Sequence, residues 1–270
     1  KSPEKFPQAD YIICESTYGN RLHEKHRDGE MVLLNLVRKT CIEKKGKLII
    51  PAFSLGRTQE IVFSLDKMKN AGLLPPINVY VDSPLSTNAT DIMRDNLELL
   101  NDDIQEYAKK DPDPFGFNTL RYIKSAEESK QLNTKNEPCI IISASGMADA
   151  GRIKHHIMHA IGSRRNTILL AGYCSPYSLG GELLAGKKSV RIFGDYFEVK
   201  AEVESISSYS AHADYEELLK YLSCQEATKV KKIFLVHGEK YAKQEFSEKL
   251  KTAGFKEVIV PEKNQIFELN

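Results

Sequence analysis

The 270-residue sequence has no apolar run near eighteen residues and no signal-peptide pattern at its start. That excludes a membrane-spanning helix of ordinary length from the expected classes. Excess charge is lacking as well: 38 Lys and Arg face 37 Asp and Glu, a formal net charge of +1. Nothing global draws such a chain to nucleic acid, so any contact of that kind must come from a local basic groove. Cysteine is sparse. The five residues Cys14, Cys41, Cys139, Cys174 and Cys224 match no zinc-ribbon spacing and form no CxxC pair. Cys14, Cys41 and Cys139 lie in apolar runs, and all five are expected as reduced thiols of a cytoplasmic protein. Fixed-period repeats and low-complexity tracts are absent. So is an initial methionine: the chain opens Lys1-Ser2-Pro3 and soon enters an apolar strand, which reads as a fragment of a longer protein.

What is present alternates. Asp10 to Cys14 reads as a buried strand ending in the turn Glu15-Ser16-Thr17-Tyr18-Gly19-Asn20. Asp28 to Lys45 reads as a helix, with Leu33, Leu36, Val37 and Cys41 on one face and Gly46 as its stop. Strand-loop-helix units follow, with strands at Leu48 to Ile50, Ile77 to Val81, Cys139 to Ile142 and Thr167 to Ala171. Helices are predicted over Arg57 to Lys69, Ser86 to Leu100 and Arg152 to Ile161, and a capping box opens a short one at Ser125. Lys109 to Gly116 is an irregular connection. This alternation predicts an α/β fold with a mainly parallel sheet covered by helices on both faces. From Asp195 the text turns to strand patterns, then a helix from Tyr215, a strand Ile233 to Val236, a helix Tyr241 to Ala253, and strands at Val258 to Val260 and Gln265 to Leu269.

Chemistry-bearing residues gather at predicted strand ends. Ser207-Ser208-Tyr209-Ser210-Ala211-His212-Ala213-Asp214 joins a strand to a helix, with Asp214 and Glu217 at capping-box spacing. His237-Gly238-Glu239 repeats that strand-turn-helix setting. Glu15 ends the first strand, where a carboxylate can orient a histidine or bind a metal, or simply serve its own loop. Gly56-Arg57 opens a helix after a strand, a place that suits an anion, with Arg57 able to add a bidentate contact. Ser143-Ala144-Ser145-Gly146-Met147 holds the same position and permits close backbone approach. Gly180-Gly181, with Ser175, Tyr177 and Ser178, is a third such loop. Together they mark the ligand edge of an open sheet. His155 and His159 have zinc-ligand spacing, but no acid or cysteine joins them, so they read as ordinary helix residues. His23 and His26 read as solvated.

The ordered set Glu15 to Asn20, Gly56-Arg57, Ser208 to Asp214 and Leu235-Val236-His237-Gly238-Glu239 resembles the β-CASP branch of the metallo-β-lactamase superfamily. It looks most like ribonucleases akin to the pre-mRNA 3′-end cleavage endonuclease. The resemblance covers nearly the whole chain. It implies a β-CASP domain over residues 22–194 and the later part of a metallo-β-lactamase αββα sandwich in residues 1–21 and 195–270. It further implies that His237 ligates one of two zinc ions, that Glu15 holds His212, and that His212 assists the leaving group. The family's His-x-His-x-Asp-His cluster is missing and would lie upstream of Lys1, so the fragment alone is expected to hold no zinc and cleave nothing.

For the complete protein the expected function is zinc-dependent hydrolysis of RNA phosphodiesters. Gly56, Arg57, Ser143, Ser145, Gly146 and Ser210 are the candidates for backbone phosphate contacts. The expected partner is RNA, without a membrane, and an uncovered remnant sheet would favour self-association or a homodimer. Two alternatives stay open at this point: a DNA nuclease of the same superfamily, and a non-catalytic RNA-binding or scaffolding subunit.

Overall fold

Aliphatic and β-branched runs become strands wherever both faces find cover, and this chain supplies that cover with helices between almost every pair of strands. The computed structural model describes residues 3–23 and 26–269, with side chains from residue 29 onward in the second stretch. In chain order the elements are β1 (Tyr11–Glu15), α1 (His26–Val37), β2 (Lys47–Pro51), α2 (Arg57–Asn70), β3 (Asn78–Asp82), α3 (Pro84–Asp95) and α4 (Asp102–Ala108). Next come β4 (Leu120–Ile123), α5 (Ala126–Thr134), β5 (Cys139–Ser143), α6 (Ile153–Ala160), β6 (Thr167–Leu170) and α7 (Leu179–Leu184). The chain closes with β7 (Ser189–Ile192), β8 (Asp195–Glu198), β9 (Glu202–Ser205), α8 (Tyr215–Leu222), β10 (Lys232–Val236), α9 (Lys240–Thr252) and β11 (Val258–Ile259).

Two compact units result: residues 24–210, and residues 1–23 together with 211–270. The first is built on a six-stranded sheet in the order β4-β3-β5-β2-β6-β9. Every pairing in it is parallel. Side-chain alternation sorts the strand residues onto two faces. Leu48, Ile50, Val79, Val81, Ile140 and Ile142 meet Leu33 and Val37 of α1 and Ile61 and Leu65 of α2. Ile49, Tyr80 and Ile141 face the other way, against Leu132 of α5, Ile153 and Ile157 of α6 and Leu179 of α7. Each such aliphatic side chain taken out of water contributes about 1.5–3 kcal/mol.

The second unit has a three-stranded parallel sheet, β1-β10-β11. Ile12, Cys14, Ile233 and Leu235 point to Leu218 and Leu222 of α8 and to Phe246 and Leu250 of α9. On the opposite face Phe234 packs on Phe267 at 4.9 Å between ring centroids, while Ile13 is 75% exposed.

Several sequence expectations shift. The helix predicted to Lys45 is α-helical only to Val37, and residues Arg38–Glu43 continue it as a wider-turned π-helix. The predicted helix to Leu100 breaks after Asp95, and α4 and the edge strand β4 had no clear apolar period to announce them. Gln265 to Leu269 is not a strand. Because β9 pairs in parallel with β6, Leu170 opposite Ser205, the compact first unit runs on to Ser210.

Candidate active site

β1 and β10 run parallel and in register, Glu15 opposite Val236. Both strands therefore end at one edge, and the residue after β10 is His237. The turn after β1 is laced to the turn after β10 by backbone and hydroxyl bonds. Ser16 N donates to the His237 carbonyl at 3.0 Å, and Ser16 Oγ donates to the Val236 carbonyl at 2.9 Å. His237 itself sits at φ 47°, in the left-handed region that a histidine adopts seldom. Gly238 follows at φ 152°, and a Cβ there would meet the Ser16 carbonyl oxygen at 2.7 Å. Any other residue at 238 would push the two turns apart.

Glu15 is the hub. Its Oε2 lies 3.0 Å from His212 Nδ1 and accepts from Thr17 N at 3.3 Å, and its Oε1 accepts from Ala213 N at 3.3 Å. A carboxylate only accepts in its ionised form, so the His212 ring presents Nδ1–H to it. His237 Nδ1 lies 2.9 Å from Thr17 Oγ1, and the rings of His212 and His237 are 4.9 Å apart at centroid and tilted by 31°. The carboxylate and His212 are part-buried at 29% and 35% side-chain exposure, and His237 is open at 62%. One ligand atom from each of Glu15, His212 and His237 falls within 4.8 Å of the others. Imidazole nitrogen with carboxylate oxygen is a zinc-type donor set. His237 Nδ1, besides its contact with Thr17, lies 4.0 Å from Glu15 Oε2. Burial, with the Glu15 charge next, pushes the thiol of neighbouring Cys14 up to about 12.

His212 is held from behind as well. The Asp214 side chain caps α8 by accepting from Glu216 N and Glu217 N, and Glu217 returns a bond to Asp214 N, completing a capping box. The other Asp214 oxygen, Oδ2, accepts from His23 N at 3.0 Å, and His23 Nε2 donates to the His212 carbonyl at 2.7 Å. His23 also meets the Tyr18 ring edge-on at 4.6 Å. The expectation that His23 is solvated is corrected: three partners from two other segments fix it. The matching expectation for His26 lies outside the described side chains.

The phosphate candidates occupy the C-terminal edge of the six-stranded sheet. Gly56 precedes α2 at φ 81°. Arg57 is 7% exposed, its guanidinium paired with the Glu60 carboxylate and lying 5.9 Å over the Tyr209 ring, one residue from Ser210. These contacts anchor it. Ser143 is corrected: it is 1% exposed and its hydroxyl donates to the Asp82 carbonyl at 2.7 Å, so it ties β5 to β3 and faces inward. Ser145 turns back on its own loop, with Ala150 N donating to its Oγ at 3.2 Å. Gly146 lies under the Phe53 ring, where a Cβ would come within 2.7 Å of the ring carbon. Ser178 caps α7 by accepting from Gly181 N at 3.0 Å, a structural use of that loop. His155 packs on Phe193 and His159 stands on the same helix without a shared partner, as ordinary helix residues do.

One cluster had no sequence signal. Asp82, at the end of β3, accepts from Arg152 Nη1 at 2.7 Å, His156 Nε2 at 2.7 Å and Ser129 Oγ at 2.5 Å, all behind a surface that leaves Asp82 fully buried. His156 Nδ1 is 2.8 Å from Asn133 Oδ1. Burial opposes the Asp82 charge, but the bonds from His156, Ser129 and Arg152 outweigh it and hold the carboxyl below its usual range.

With this geometry, comparison with known proteins is direct. Residues 58–183 match the Beta-Casp domain, and residues 196–261 match the Zn-dependent metallo-hydrolase RNA specificity domain. The chain is a homologue of the RNA-processing nucleases of the β-CASP branch of the metallo-β-lactamase superfamily, matching part of longer relatives. Ribonuclease TTHA0252 of Thermus thermophilus is 32% identical over 237 residues, which are 88% of this chain and 53% of that protein. An RNase J-like protein of Methanocaldococcus jannaschii is 34% identical over 242 residues, 89% of this chain and 54% of that protein. Cleavage and polyadenylation specificity factor 73 of Drosophila melanogaster is 29% identical, covering 85% of this chain and 32% of that protein. The chain thus spans about half the length of the first two relatives. The second family match begins at residue 196, close to the sequence boundary, whereas the compact units divide at residue 210. No described helix is long and apolar enough to cross a membrane.

Proposed function

We propose that the complete protein is a zinc-dependent ribonuclease and that this chain carries its proton-donating pair, one metal ligand and part of its phosphate-binding edge. The observation that supports this most is the 3.0 Å contact between Glu15 and His212 with His237 in the same cluster. Two strand ends and a helix cap converge to hold it, which is more order than a solvated loop needs.

In this reading Glu15 accepts the Nδ1 proton of His212 and so directs Nε2 outward. That leaves the outward ring nitrogen as the proton donor toward the substrate. Water adds to phosphorus, the bond from phosphorus to the leaving ribose oxygen breaks, and His212 protonates that oxygen as it departs. His237, together with ligands from the rest of the complete protein, would hold zinc, which would supply an activated water and charge neutralisation at the phosphoryl group. Two such ions are proposed, as the resemblance implies. Thr17 holds the His237 ring in place through Nδ1. Gly56, Arg57, Ser145, Gly146 and Ser210 take the RNA backbone, which provides register on the strand and little sequence preference.

The test is cleavage of an end-labelled single-stranded RNA by the complete protein, before and after chelation. Cleavage that chelator abolishes and added zinc restores is the expected result. Retained cleavage without metal, or metal-loaded protein that binds RNA and never cuts it, overturns the proposal.

A further inference from the structure

In the unit of residues 24–210, the loop between β2 and α2 reads Ala52-Phe53-Ser54-Leu55-Gly56. Hydrogen bonds pin its backbone. Ala52 N donates to the Ser143 carbonyl at 2.9 Å. The Phe53 carbonyl accepts from Thr58 N at 3.2 Å and from Thr58 Oγ1 at 2.7 Å. The Ser54 carbonyl accepts from Gln59 Nε2 at 3.1 Å. Yet this fixed loop leaves Phe53 55% exposed and Leu55 68% exposed. A lone apolar side chain on a surface needs no explanation. An aromatic ring held in water by its own pinned backbone, with a second large apolar side chain two residues on, forgoes burial that would stabilise the fold.

The ring has a defined seat. β2 and β5 are adjacent and parallel, Pro51 opposite Ser143, so the loops that follow them leave the sheet at the same end. The Cδ2–Cε2 side of the Phe53 ring rests on Gly146 in the second of these loops, where a Cβ would lie 2.7 and 3.0 Å from those two carbons. Only glycine lets the ring seat so close. Phe53 thus lies against Gly146 and heads the loop that ends at Gly56, and both glycines are assigned to the RNA backbone above. A single strand carries phosphates and bases in alternation. Proteins that hold one combine contacts to the backbone with aromatic rings on which bases stack.

We propose that the Phe53 ring stacks on one unpaired base of the RNA, which makes single-stranded rather than duplex RNA the substrate class. Bases within a duplex are already stacked on their neighbours and offer the ring no free face. Stacking tolerates any base, because each has a π-face. The choice of RNA rests on the ribonuclease reading above, and the choice of a planar, unpaired group rests on the ring itself.

The test measures binding to the complete protein by fluorescence anisotropy with chelator present, so that nothing is cut. The probes are octauridylate and an octamer of the same ribose-phosphate backbone without bases. Phe53→Ala is expected to weaken octauridylate about tenfold, the size of a lost stacking contact, and to leave the abasic octamer within about twofold of the parent. Phe53→Leu still covers Gly146 but has no π-face, and should weaken octauridylate as Phe53→Ala does. Phe53→Trp should keep or tighten it. A blunt RNA duplex of equal length should bind the parent about tenfold more weakly than octauridylate, with no further loss in Phe53→Ala. A purely structural role for Phe53 would weaken both octamers alike, and that result overturns the proposal. So does unchanged octauridylate affinity in Phe53→Ala, full affinity in Phe53→Leu, duplex bound as tightly as single strand, or folded parent that binds neither octamer. None of these readings uses cleavage. Protein that cuts RNA and is indifferent to Phe53 loses this inference alone, whereas protein that shows the expected pattern and never cuts loses the ribonuclease reading alone.

Discussion

His23 donates through Nε2 to the main-chain carbonyl of His212 at 2.7 Å, and its own backbone N–H is held by Asp214 at 3.0 Å. The segment after β1 thereby sets the height of the histidine that Glu15 orients. A neutral hydrogen bond contributes about 0.5–1.5 kcal/mol net. His23→Ala in the complete protein is expected to lower kcat by about three- to tenfold, leaving zinc content unchanged. A fall in zinc content parallel to kcat would show instead that His23 supports the metal site.

The two site histidines should fail differently. His237→Ala removes the proposed ligand, so zinc content and cleavage rate should fall together, and added zinc should restore part of the rate. His212→Ala leaves that proposed ligand in place. Its zinc content should be near normal while the rate drops by roughly 10²–10⁴, the range for a lost general acid. A substrate with a better leaving group should recover much of that loss, because departure then needs no proton. Metal analysis beside single-turnover kinetics separates the cases. Zinc lost in proportion to activity in His212→Ala would make His212 a ligand.

Asp66 couples stability to pH. Burial first, with the charges of Asp111 and Asp113 adding, raises its carboxyl to about 7 against the lowering effect of the Tyr107 hydroxyl. In the unfolded chain the group titrates near about 4. Between these values the folded state holds a proton that the unfolded state has lost. The stabilisation is full below about 4 and is lost as pH rises through about 7. Asp66→Asn cannot ionise. Its denaturation midpoint should therefore vary less between pH 5 and 8 than the parent's, with the larger relative gain at pH 8. A parent whose Asp66-dependent stability rises over that interval would contradict the assignment.

Asp82 carries the opposite sign. Its carboxyl is held low, so its contribution is present above the unfolded value near about 4 and disappears as pH falls through the folded value. Asp82→Ala strands Arg152 and His156 beside a cavity. Removing one partner of a buried charged pair costs about 3–5 kcal/mol. Urea denaturation should show a loss of that size, with RNA binding reduced only as far as folding is.

Much of the candidate site was legible because its parts are local. A strand end, a small residue and a histidine beside a helix cap are written in consecutive residues, as at Asp214 and Glu217. The ordered motifs carried the family. Less legible were residues whose partners are distant in sequence. Nothing near His156 in the text announces Asp82, and nothing near His23 announces the His212 carbonyl. Ser143 reads as a loop donor, yet parallel pairing beside β3 turns its hydroxyl inward to Asp82.

The sequence by itself determined the strand and helix alternation, the buried character of the parallel sheet, and the residues that form each turn, because hydrophobic period and capping act over a few residues. Tertiary structure alone decided which turns meet. The register of β1 with β10 brings Glu15 beside His237, and the parallel addition of β9 to β6 assigns residues up to Ser210 to the first unit. It also decided which side chains are satisfied: His23, Asp82 and Asp66 each depend on partners far along the chain. Sheet register and long-range hydrogen bonding follow from how separate segments pack, and no local preference encodes that choice.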